Sequence, residues 1–192
     1  MKRAWVFVAV LVTTLAATGP ASAQEKGQVG LVMGYPASVG VQFHVSDGVA
    51  IRPEVTFSRA SGTITYSGDN FVEPEANSDA TAFGIGLKAL FYLKKWESLR
   101  AFVTPGFVYA RSTTTNRYST NSNKSTSNSY QVLGSFGAQY ALSRRFGILG
   151  EVGVQYSDVE NDNTLPDGTS GTSSSSKSFG TRAAVAVVFN LK

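Results

Sequence analysis

Between Val39 and Phe57 apolar and polar positions alternate almost without a break. The odd positions Val39, Val41, Phe43 and Val45, then Val49, Ile51, Pro53, Val55 and Phe57, are all apolar. The even positions Gly40, Gln42, His44, Ala50, Arg52, Glu54 and Thr56 are small, polar or charged. A two-residue period is that of a β-strand with unlike faces. Ser46-Asp47-Gly48 sits in the middle, and three turn residues ending in Gly predict a hairpin loop with positive φ at its last position. Val45 and Val49 are then expected to pair and carry the apolar face through the turn. The polar face of a soluble sheet is usually dense in Lys, Glu and Thr. Here it holds Gly, Ala, Gln and a few charges, which suits the narrow inside of a closed barrel whose aliphatic outside meets lipid.

The same pattern predicts eight strands. The first covers about Gly27–Tyr35 and turns at Pro36-Ala37 into the second, which ends at Ser46; the third runs from Gly48 to about Ser61. The fourth is predicted at Ala80–Leu93, with Phe83, Ile85, Leu87, Ala89, Phe91 and Leu93 in phase, and the fifth at Leu99–Arg111. Both faces of the fifth are nearly equally apolar, so its phase stays open. The sixth (Ser129–Leu142), seventh (Phe146–Tyr156) and eighth (Ser178–Leu191) alternate again. Between them lie polar stretches, Gly62–Asp79, Ser112–Asn128 and Ser157–Lys177, expected to be solvated, partly disordered loops. Short connections thus gather at one rim and long ones at the other, the asymmetry of outer-membrane barrels. Aromatic residues collect at strand ends: Phe43, Phe91, Trp96, Tyr140, Phe146 and Phe189 towards the short turns, and Phe57, Phe83, Tyr109, Tyr130, Tyr156 and Phe179 towards the long loops. Two such belts are expected where a barrel meets lipid headgroups.

The N-terminus changes the picture of where the chain goes. Met1-Lys2-Arg3 precedes an apolar run from Ala4 to Ala17, a Gly19-Pro20 break and Ala21-Ser22-Ala23. That order reads as a cleaved signal peptide over residues 1–23, with the barrel domain at 24–192. The run is too short for a spanning helix, which takes about 20 residues, and no Cys is present to carry a lipid anchor or a disulfide. The full chain has 17 basic and 13 acidic residues. Losing Lys2 and Arg3 leaves it nearly neutral, without the basic stripe that nucleic acid requires. No apolar run beyond the leader reaches helix-spanning length, so a membrane protein built from it has to be a barrel.

With its A-x-A leader, eight alternating strands, short inner turns and long outer loops, the chain resembles the small outer-membrane β-barrel proteins of Gram-negative bacteria, the OmpA-domain and OmpX-like group. The resemblance spans the mature chain and is architectural. It implies an all-β, eight-stranded antiparallel up-and-down transmembrane β-barrel, monomeric, reaching the cell outer membrane through the periplasm and the barrel-insertion machinery. That group usually ends on an aromatic residue; this chain ends Phe189-Asn190-Leu191-Lys192, with Phe189 as the candidate signal.

By parity the lumen receives Gln42, His44, Arg52, Glu54, Lys88, Arg100, Gln131, Gln139, Glu151, Gln155 and Arg182. An eight-stranded lumen is filled by its own side chains. Arg52, Glu54, Lys88, Arg100, Glu151 and Arg182 are therefore expected to form a charge network in which the two carboxylates bridge the cations and hold the barrel shut. The alternative use of the excess positive charge is a narrow path for small anionic solutes. The single His, His44, lies near the short-turn rim, away from the outer leaflet where a lipid-modifying enzyme would work. No G-x-S-x-G, P-loop or metal-spaced His/Cys set accompanies it. No enzyme activity, cofactor or metal is expected. Asp158-x-Glu160-x-Asp162 has oxygen ligands but lacks the glycine of an EF-hand loop. The expected function is structural and interactive, with outer-membrane lipids, lipopolysaccharide and host or matrix surfaces as partners.

Overall fold

Alternation of apolar and polar residues recurs in strand after strand and closes the chain on itself. The computed structural model describes residues 26–36, 38–64, 76–117, 122–164 and 170–191. The leader read at 1–23 lies outside these residues, as do Asp69, Glu73, Glu75, Tyr118 and Asp167. Eight strands follow one another: β1 (Val29–Tyr35), β2 (Ser38–Ser46), β3 (Val49–Ile64), β4 (Ala76–Trp96), β5 (Leu99–Arg117), β6 (Ser122–Ala141), β7 (Phe146–Thr164) and β8 (Ser170–Asn190). Each pairs antiparallel with the next, and β8 pairs with β1, giving a closed up-and-down barrel.

The register fixes its shape. Stepping through partners from Val32 passes Gly40, Glu54, Gly86, Val108, Gln131 and Ser157 and arrives at Ser178. Val32's own partner on β8 is Val188, ten residues further along. With about 3.3 Å per residue and about 4.8 Å between strands, that offset tilts the strands by roughly 40°. Outward positions are apolar and exposed, Val152 at 61% and Phe179 at 72% among them. Inward positions are buried, including Arg52 at 1% and Gln42 at 0%. On β5, whose phase the sequence leaves open, the even residues point inward, with Phe102 and Thr104 fully buried.

Two expectations need correction. Two of the three polar stretches, Ser112–Asn128 and Ser157–Lys177, are largely strand among the described residues. β5 and β6 pair in unbroken register from Leu99↔Tyr140 to Arg117↔Ser122, so the Ser112–Asn128 segment is mostly a continuation of the barrel wall. The same holds for Asp158 to Asp162 against Lys177 to Ser173 on β7 and β8. A ladder already anchored in the barrel propagates without a new nucleus, and where both faces meet water no apolar alternation remains to mark it. The second correction concerns the β2–β3 hairpin. Ser46, not Val45, pairs with Val49, and the register shifts between His44 and Ser46. That bulge absorbs the extra residue. Gly27, at φ 89°, is the glycine with positive φ among the described residues, and Gly48 is not.

Candidate functional site

The inward face of β4, read upward from the short-turn rim, presents Tyr92, then Leu90, then Lys88. Leu149 of β7 and Val188 of β8 join Leu90 in one buried apolar cluster, and the lumen divides into three layers.

The lowest layer is built on Tyr92. Gln42 Nε2 donates to Tyr92 Oη at 3.0 Å, and Tyr92 Oη donates to Gln139 Oε1 at 3.0 Å. His44 stacks on Tyr92 with ring centroids 5.8 Å apart. Its Nδ1 lies 3.3 Å from the Gln28 carbonyl, so an Nδ1–H donating there leaves Nε2 as an acceptor facing Gln42 at 3.3 Å. Arg100 belongs to this level. It lines a small cavity of about 120 Å³ with Gln28 and Gln139.

Above it the lumen is apolar. Val32, Leu90, Phe102, Leu149 and Val188, with Ala50 and Ala186, form one buried cluster, the first five each at 2% exposure or less. Phe102 contacts the Tyr92 ring edge-on with centroids 5.8 Å apart, so the plug rests directly on the polar layer.

The third layer is ionic. Glu54 Oε1 lies 2.6 Å from Arg52 Nε, and its Oε2 lies 2.7 Å from Lys88 Nζ. Arg52 and Lys88 are cross-strand neighbours on β3 and β4, and Glu54 follows Arg52 on the same inward face. Glu151 comes from β7, on the other side of the ring. Its Oε1 is 3.3 Å from Arg52 Nη2, 3.5 Å from Lys88 Nζ and 3.6 Å from Arg182 Nη2. The Glu54 and Glu151 side chains are 8% and 1% exposed. Charges so far from water are tolerated only when paired. Three cations against two carboxylates leave the layer at a formal +1. Over it opens a cavity of about 220 Å³ lined by Arg52, Lys88, Glu151 and Arg182 together with Gln131 and Gln155.

Of the six charged residues the sequence singles out, five meet in this layer. Arg100 is separated from them, because Phe102 is the next inward residue above it on β5. Sequence reasoning missed the plug and the hub role of Tyr92. The signal was present as breaks in alternation, apolar residues at inward parity in Val32, Leu90, Phe102, Leu149 and Val188. Asp158, Glu160 and Asp162 occupy alternate positions of β7, with Asp158 3.8 Å from Lys177 of β8. No group of three metal-ligating side chains occurs among the described residues.

Comparison with known proteins bears on the fold. No protein-family model matches the chain, and no curated protein sequence matches it. Among solved structures, a major outer membrane protein from Thermus thermophilus aligns over 85% of this chain and 98% of its own, at 11% identity and a TM-score of 0.58. Acinetobacter baumannii CarO2 and CarO align over 85% and 86% of this chain and 97% of theirs, at 12% and 10% identity, with TM-scores of 0.43 and 0.41. The chain has the fold of a small outer-membrane β-barrel. Its lipid-type exterior, closed ring and ionic interior are the features on which that fold depends in a bilayer.

Proposed function

We propose that the protein is a sealed, monomeric barrel of the cell outer membrane that contributes to envelope integrity and carries a surface for contact, with no channel and no catalytic chemistry of its own. The observation that carries this reading is the plug of Val32, Leu90, Phe102, Leu149 and Val188 across the lumen. A conducting path would have to wet a layer of fully buried aliphatic and aromatic side chains, whereas the ionic layer above it acts as a clasp between opposite walls. His44 is stacked on Tyr92 beneath the plug and hydrogen-bonded within the wall, which fits a packing role.

The contact surface is the upper part of β3 to β8. It carries acidic and basic segments side by side: Asp79 of β4 lies 3.4 Å from Arg117 of β5, and Asp158 lies 3.8 Å from Lys177. Lipopolysaccharide and host or matrix surfaces are the partners such a polar, mixed-charge rim suits. The test is reconstitution of the mature chain in planar bilayers, paired with surface-binding assays on cells. We expect folded protein that shifts on heating in gels and gives no unitary conductance, and binding that disappears when residues 112–128 are trimmed to a tight turn. Steady ion-selective currents from the unaltered protein would overturn the sealed-barrel reading.

A further inference from the structure

The wall of the barrel is not equally tall all round. β1 and β2 have 7 and 9 residues, against 21 for β8 and 16 for β3. β1 reaches only Tyr35, which pairs with Val185 of β8, and β2 begins opposite β3 near Val55. Above those points the edges of β8 towards Ser170 and of β3 towards Ile64 have no strand between them among the described residues. Phe179 pairs with Tyr156 and belongs to the upper aromatic belt, six residues along β8 from Val185. Strand geometry then puts the β1–β2 turn roughly 10 Å below Phe179 on the β8 side, and closer to the level of Phe57, two residues beyond Val55, on the β3 side. On its β8 side the lower part of the gap therefore opens onto the outer leaflet rather than onto water. An unpaired sheet edge is tolerated at that depth only where it borders a polar space.

Such a space is present. The 220 Å³ cavity over the ionic layer is lined by Tyr35, Pro36 and Ser38 of the short turn and by Ala183 and Val185 of β8. Tyr35, at 79% exposure, and Val185, at 58%, are outward-facing residues. The cavity that buried Arg52 lines inside the barrel thus reaches the top of the short turn, where the gap begins. Its inner end has a formal charge of +1. Nη1 of Arg52, on a residue 1% exposed, and Nη1 of Arg182 have no hydrogen-bond partner among the described residues. On the lipid side, Val39, Val55, Ile85, Leu87 and Phe107 border an apolar groove that begins beside the turn.

We propose that the gap above the β1–β2 turn is a lateral portal through which the headgroup of a single-chain anionic amphiphile enters from the outer leaflet, to be held by Arg52 and Arg182 while its alkyl tail stays in the membrane. One monoanion neutralises the layer and supplies acceptors to the two guanidinium groups. The cavity has room for a carboxylate or phosphate head and a few methylenes, and the rest of the chain continues into the groove outside. This site goes beyond the sealed-barrel reading and is compatible with it, since it lies wholly above the plug.

The test uses the mature chain in nanodiscs of zwitterionic phospholipid, with a spin-labelled alkyl carboxylate as probe and its immobilised fraction as readout. Dodecanoate and dodecyl phosphate are expected to compete, in an order that tells which head is preferred, while dodecyltrimethylammonium and butyrate are not. Arg182→Gln leaves two cations against two carboxylates, so the barrel keeps its heat-shifted gel migration while the probe binds about tenfold more weakly. Ser38→Trp fills the mouth and abolishes immobilisation with every charge in place. Equal competition by the trimethylammonium compound, competition by butyrate as strong as by dodecanoate, or unchanged binding in both folded variants would overturn the proposal. Gel migration reports the barrel independently of any binding result.

Discussion

Arg52 and Glu151 meet at 3.3 Å in the lumen although their strands, β3 and β7, lie four places apart in a ring of eight. A pair of this kind ties opposite walls together in a way that no hairpin contact can. Glu151 also faces Lys88 and Arg182 through the same oxygen, whereas Glu54 forms ion pairs with its near neighbours Arg52 and Lys88.

Glu151→Gln should therefore be the most damaging single change among the lumen charges. It leaves buried Arg52 and Lys88 and half-buried Arg182 with Glu54 as their one carboxylate, and breaking a buried ion pair from one side costs about 3–5 kcal/mol. Glu151→Gln combined with Arg182→Gln restores a smaller imbalance and should recover part of the loss. Urea titration of gel migration in vesicles checks both, and additive losses in the double variant would show that Arg182 and Glu151 do not interact.

The plug predicts a second outcome. Phe102 packs over Gly137 of β6 so closely that a Cβ there would lie 2.5 Å from Phe102 Cζ and 2.7 Å from the Gly150 carbonyl oxygen. Gly137→Ala should destabilise the barrel by about 1–3 kcal/mol through overpacking. Phe102→Ala removes the ring instead, costs about 3–5 kcal/mol and opens the layer. Current through Phe102→Ala but not through the parent barrel is the expected bilayer recording. Silence in both would mean that the other plug residues suffice to seal it.

How much of this was legible in the sequence depends on what each residue faces. Where one face meets lipid and the other the lumen, alternation is forced, so the stretch from Val39 to Phe57 discloses its strands and its inward charges. Above the bilayer both faces are wet, and Thr113-Thr114-Thr115 carries no period although it pairs in register with Thr126, Ser125 and Lys124. The strand ends there are set by the ladder below them. Inside the barrel, parity says that Leu90 and Phe102 point inward but not that they meet at one level. That depends on the ten-residue offset of the closed sheet, which is a property of the ring and not of any strand alone. The same offset separates Arg100 from the other charges. The short β1–β2 hairpin was visible as the Pro36-Ala37 corner, but its consequence for the wall requires knowing which strands stand beside it.

Tyr92 offers a third prediction, confined to the lower layer. Its hydroxyl accepts from Gln42 and donates to Gln139. Tyr92→Phe keeps the ring contacts with His44 and Phe102 and deletes only the oxygen. A buried donor and a buried acceptor then lose a partner, at about 1–3 kcal/mol for each group left unsatisfied. The expected signature is a lowered unfolding midpoint with an unchanged seal. Stability equal to the parent would mean that Gln42 and Gln139 bond each other once the oxygen is gone.

The extended strands make the last prediction. Ser112 to Arg117 of β5 pair with β6 on one side and, through Asn77 to Ala82, with β4 on the other. A strand flanked on both edges commits its amides alternately to its two neighbours, so these amides should exchange slowly with solvent despite their polar sequence. The loop reading demands fast exchange. Side chains contribute little: the Arg117–Asp79 pair is exposed, and Asp79→Asn should change stability by less than about 1 kcal/mol. Thr114→Pro removes a donor from the ladder, and Pro is poorly tolerated in a strand with two neighbours. Protease cuts near residue 114 should therefore appear in the proline variant and not in the parent, while the barrel below keeps its heat-shifted migration. Rapid exchange throughout residues 112–117 in the parent protein would return this segment to the status of a solvated loop.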